Sequence, residues 1–123
     1  MDSVEHYSQI VINLIESYAG VSSANEPDIC NETLFDAVNH RYLLLSLGWS
    51  KGQRIHHTVI HIDIIDGYVW IQANNTDCLI AEELVESGIS RGAIVLGMQP
   101  PEVRPHTVYG TVQEGYSSEP LSA

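Results

Sequence analysis

The chain has 123 residues, 44% of them apolar, which suits one ordinary globular domain and leaves too little for a second core. Five Lys and Arg stand against sixteen Asp and Glu, for a net charge of −11. The cations Arg41, Lys51, Arg54, Arg91 and Arg104 are scattered, which argues against direct nucleic-acid binding, since neutralising phosphates takes clustered Lys and Arg.

Residues 4–19 read as an amphipathic helix, with Val4, Tyr7, Val11, Leu14, Ile15 and Tyr18 at helical spacing. Asp2 or Ser3 can cap its start, and Gly20 stands where a left-handed cap would end it. A polar loop over residues 21–27 leads to a short strand at 28–35 and a turn at 36–40. Three β-rich runs follow at 41–49, 55–65 and 68–72, separated by turns at Lys51-Gly52 and Asp66-Gly67. Asp-Gly between two such runs is a strong hairpin signal, because both central residues of a type I′ turn need positive φ. Thr76 can cap a second helix over 77–87, with Ile80, Ala81, Leu84 and Val85 inward, Glu82, Glu83 and Glu86 in water, and Gly88 at its end. Residues 94–97 could add a short strand, and Pro100-Pro101 enforces an extended kink. The expected fold is α+β: an N-terminal helix, a four-strand antiparallel meander, a second helix on one face and an irregular C-terminal segment. One domain is expected over residues 1–115, with residues 116–123 a mobile tail.

The hairpin at residues 55–72 sets a register. With Asp66-Gly67 at its turn, Ile64 opposes Val69 and Ile62 opposes Ile71, while Asp63 opposes Trp70 and His61 opposes Gln72. Centring the preceding turn on Lys51-Gly52 places Leu43, Leu45 and Leu47 on the Ile face. It places Tyr42, Leu44, Ser46, His57 and Val59 with His61. One face is then hydrocarbon, ready for the helices. The other combines Tyr42, His57, His61, Asp63, Tyr68, Trp70 and Gln72, a composition that suits a partner or oligomer interface. Burial of this face by the C-terminal segment is the competing reading.

No catalytic constellation stands out. His56 and His57 point to opposite faces, and His57 and His61 lie about 13 Å apart along a strand, too far to share a metal. His61 and Asp63 alone do not make a site, so a metal-dependent hydrolase is disfavoured and His–Asp hydrogen bonding preferred. Neither a Gly-x-Gly-x-x-Gly nor a Walker-type loop occurs, and no cofactor is expected. Cys30 and Cys78 are too few for a disulfide framework and read as reduced thiols used as small hydrophobes. With no run near the ~20 apolar residues of a membrane span and no secretory pattern at the N-terminus, the expected location is cytoplasmic.

Three blocks then carry a specific likeness: Arg41-Tyr42-Leu43-Leu44-Leu45 with Gly48-Trp49; Arg54-Ile55-His56; and His61-Ile62-Asp63-Ile64 with Asp66-Gly67, Val69-Trp70-Ile71-Gln72. With Thr76, Ile80-Ala81, Glu83-Leu84-Val85, Gly88-Ile89, Ile94-Val95-Leu96-Gly97, Pro100-Pro101, Arg104 and Thr107, the chain up to about Gly110 resembles the XisI family. That family is named for a cyanobacterial factor controlling excision of the fdxN element during heterocyst differentiation. The resemblance implies a non-enzymatic accessory role through protein–protein binding to an XisH-type partner, beside recombinase machinery. Direct DNA binding as a recombination directionality factor is the alternative. The large aromatic face also leads us to expect a homo-oligomer.

Overall fold

The computed structural model describes residues 3–20 and 28–111. The apolar stripe of the first segment folds as helix α1, Ser3–Ala19, and buries Ile10, Val11, Leu14 and Ile15 against a sheet. Gly20 does not form the expected left-handed cap. Its φ is ordinary, and its N–H continues the helical ladder to the Glu16 carbonyl at 3.1 Å.

Strands β1 (Ile29–Asp36), β2 (Arg41–Ser50), β3 (Gln53–Ile65) and β4 (Tyr68–Asn74) form the antiparallel meander. Both tight turns have the backbone that their residues predict: φ is 51° at Lys51 and 53° at Asp66, and 77° and 82° at the glycines that follow. Between β1 and β2, Asp36 organises the turn by accepting the N–H groups of Val38 and Asn39 at 3.0 and 3.1 Å.

The expected four strands are five. After helix α2 (Ile80–Glu86), strand β5 (Ile94–Leu96) pairs parallel to β4, giving a mixed sheet in the order β1-β2-β3-β4-β5. A helix between two strands is the connection that parallel pairing requires, so the second helix is also a crossover. It is shorter than its sequence suggests. Thr76 does not cap it; the Thr76 hydroxyl donates to Asn74 Oδ1 at 2.6 Å and accepts the Cys78 N–H at 3.1 Å, closing a local turn instead.

Two of the three glutamates expected in water fasten this helix. Tyr18 donates to Glu83 at 2.6 Å, and Tyr109 donates to Glu82, which also pairs with Arg91 at 2.7 Å. Burial, reinforced by Glu82, pushes the Tyr109 phenol up to about 12. Burial, Cys78 and Glu83 likewise raise Tyr18. The core lies between the helices and one face of the sheet, where Leu44, Ile60, Ile62, Ile64, Val69, Ile71 and Ile94 meet Ile80, Leu84 and Ile89. Both cysteines are free and exposed rather than packed as small hydrophobes. No described helix is long and apolar enough to cross a membrane. The expected tail at residues 116–123 lies outside the described residues.

Candidate functional site

Two β-bulges decide which side chains the sheet presents on its outer face. The Lys51-Gly52 turn holds its predicted register from Ser50↔Gln53 to Leu45↔Thr58. There the ladder slips: Leu44 pairs with Ile60, and Val59 is the extra residue. Asn75 secures the slip, donating its backbone N–H to the Val59 carbonyl and its side-chain amide to the Thr58 carbonyl, each at 2.8 Å. A one-residue shift exchanges the two faces of a strand. Tyr42 and Leu44 therefore share the inner face with Ile60 and Ile62, and Leu43, Leu45 and Leu47 lie outside, the reverse of the expectation.

The second bulge is in β4. Ile62 pairs with Ile71 and Asp63 with Trp70 as expected, but His61 pairs with Ala73, leaving Gln72 as the extra residue. Gln72 still reaches the outer face, because its amide donates to Asp63 Oδ2 at 3.2 Å.

Of the seven predicted site residues, the structure gathers five. His61, Asp63, Tyr68, Trp70 and Gln72 share the outer face, whereas Tyr42 and His57 do not. Tyr42 is fully buried in the core, where its hydroxyl bonds to Ser8 Oγ at 2.6 Å and His40 Nδ1 at 2.9 Å. His57 pairs with Ser46 on the inner side of the hairpin and is exposed beyond the core.

Asp63 is the hub of the outer cluster. It is 4% exposed. His61 Nε2 lies 2.8 Å from one carboxylate oxygen, and the other receives Gln72 and lies 3.8 Å from Arg41 Nε. Arg41, absent from the predicted set, is placed here because it pairs with Asp63 across the ladder. The buried carboxylate thus has partners on three strands. It has no nucleophile bonded to it, and no group of three metal-ligating side chains occurs among the described residues. The hydrogen bonds and ion pair around Asp63 make a rigid polar patch.

Trp70 is covered by the C-terminal segment. Arg104, 2% exposed, stacks its guanidinium carbon 5.2 Å from the Trp70 ring centre, and its Nε donates to the Leu96 carbonyl at 3.1 Å. Gly97 makes this approach possible: a Cβ there would lie 2.6 Å from Gln72 Oε1 and 3.1 Å from the Trp70 ring. The expected burial by the C-terminal segment is therefore realised over part of the face only. The segment buries Trp70, while Arg41, His61 and the leucines of β1 and β2 remain accessible. Leu34, 59% exposed, extends this row onto β1 opposite Leu43.

The family described as XisI protein matches residues 1–111. Among solved structures, a XisI-like protein from Anabaena variabilis ATCC 29413 shares 39% identity with a TM-score of 0.81, over 90% of this chain and 100% of that one. The fdxN element excision controlling factor XisI from the same organism shares 28% identity with a TM-score of 0.78, over the same shares. No curated protein matches the chain. Matched over nearly all of its described length, the chain belongs to the XisI family.

Proposed function

We propose that the chain is a non-enzymatic accessory factor controlling excision of a DNA element, and that it acts by binding an XisH-type partner protein through the outer face of β1–β3. Family membership and the neighbour described as an excision controlling factor support the role. One observation supports the binding mode. Beside a buried, fully engaged Asp63 hub, the sheet leaves an accessible row of Leu34, Leu43, Leu45 and Leu47 edged by Arg41 and His61. An apolar row with a fixed polar rim is the anatomy of a protein interface.

Co-purification with the XisH-type protein tests this. The tagged wild-type chain is expected to retain it, and a Leu43→Glu, Leu45→Glu variant with an unchanged circular dichroism spectrum is expected to lose it. Equal retention by both chains would remove the outer face from the reading, and no retention by either would remove the partner.

A further inference from the structure

Between residues 37 and 62 the chain has no carboxylate. Three of its five Lys and Arg (Arg41, Lys51, Arg54) and four of its six histidines (His40, His56, His57, His61) fall in that run. It comprises the β2–β3 hairpin up to Ile62, with the residues that lead into it. Both helices are acidic by contrast, with Glu5 and Glu16 on α1 and Glu82, Glu83 and Glu86 on α2. Charge is unevenly spread: the hairpin up to Ile62 carries only cations, while both helices carry carboxylates, as do β1 (Glu32, Asp36) and the Asp63–Asp66 end of β3.

The hairpin also outgrows its neighbours. Among the described residues, ladder pairing with β1 ends at Gly48, with one further bond from the Trp49 N–H to the Asp28 carbonyl at 3.4 Å, and pairing with β4 ends at Ile60. At its far end Trp49 is 55% exposed, with the Arg54 guanidinium carbon 5.6 Å from its ring centre and Lys51 exposed in the turn. Trp and Arg are the residues most enriched at the energetic centre of interfaces, and here they are stacked on an exposed projection.

A complement is built into the same chain. Helices α1 and α2 enclose an open groove of about 670 Å³, lined by the apolar Ile10 and Leu14 and by Asn13, Glu83 and Glu86. Glu83 is held by Tyr18, whereas Glu86 is exposed. We infer that the chain self-associates by seating the Trp49–Arg54 end of one hairpin in the α1–α2 groove of a second copy. The indole then sits over the small edges of Ile10 and Leu14 that reach the groove, each residue 8% exposed, and Arg54 and Lys51 face Glu86. A nucleic acid would meet the same cations, but also the long-range field of a chain of net charge −11, which repels a polyanion. A second copy bears the same net charge, but it meets the tip with a localised carboxylate, Glu86, in a partly apolar groove rather than with a continuous run of phosphates.

The test uses the purified chain alone, so its outcome is separate from that of partner binding. Light scattering over a concentration series is expected to show association for the wild type. Arg54→Glu and Glu86→Arg, both at exposed positions, are each expected to weaken association about tenfold or more. An equimolar mixture of these two variants is expected to associate again, because each tip then meets a groove of opposite charge. Association of the wild type is also expected to blue-shift tryptophan emission, with the shift lost in Trp49→Phe. A wild type monomeric at every concentration, association insensitive to both variants, or a mixture no better associated than its components would each overturn the inference. So would a monomer that binds a labelled single-stranded oligonucleotide through Trp49.

Discussion

At the scale of single residues, Asp63 and Tyr42 show how buried polar groups specify this core. Asp63 is a carboxylate out of water, and its hydrogen bonds to His61 and Gln72, with Arg41 nearby, offset its desolvation. Asp63→Asn keeps the shape but removes the charge, and is expected to cost about 1–3 kcal/mol by urea denaturation. Loss of less than the measurement error would mean that these contacts contribute nothing net. Tyr42→Phe deletes the hydroxyl that links Ser8 on α1 to His40, leaving both without that partner. The expected cost is about 1 kcal/mol, with little change in the circular dichroism spectrum. His61 and Asp63 stand out in the sequence as a pair on one strand face, since a period of two places them together. Arg41 does not, because its place beside Asp63 depends on the ladder between β2 and β3 and on the slip within it. The acid-free run at residues 37–62 was the signal that could have brought Arg41, Lys51 and Arg54 together on one hairpin.

At the scale of elements, local signals were legible where the chain itself sets the conformation. The helix α1, the two type I′ turns and the strands between them follow from periodicity and turn chemistry. The turn at Asp36 is another such unit, and it titrates. Hydrogen bonds from Asn39 and Val38 hold the Asp36 carboxyl below its usual range, with Arg41 adding to the effect. A depressed folded-state pKa contributes stability that is complete above the ordinary carboxylate value and is lost as pH falls through the folded one. The melting-temperature gap between wild type and Asp36→Asn is therefore expected near neutrality and to close below about pH 4. A gap that widens in acid would contradict this. Contacts from distant elements were not legible. The Arg104 clamp over Trp70 joins positions far apart in sequence, and Arg104→Ala is expected to cost about 2–4 kcal/mol through lost packing and unsatisfied carbonyls. Chemical denaturation and the emission of Trp70 in a Trp49→Phe background both report on it. Unchanged stability would show the segment to be held elsewhere.

At the scale of the whole molecule, charge acts in two opposed ways. A net charge of −11 repels itself in the compact state, so added salt is expected to raise the melting temperature of the monomer. Association of a cationic hairpin with an acidic groove is expected to weaken over the same salt range, read by light scattering. The same sign of response in both measurements would show that screening does not govern one of them.

The sequence by itself determined the helix and strand segments, the two hairpin turns and the α+β class, because these rest on residues within a few positions of one another. Family membership was also legible there, in blocks of fixed order. Only the tertiary structure decided which face of β2 is buried. That depends on whether the ladder slips by one residue, and the slip is secured by Asn75, sixteen positions beyond the bulged Val59. It also decided that β5 joins β4 in parallel and that Arg104 closes over Trp70, since both are pairings between surfaces that no local pattern encodes. The accessible leucine row and the Asp63 hub are the product of those long-range choices.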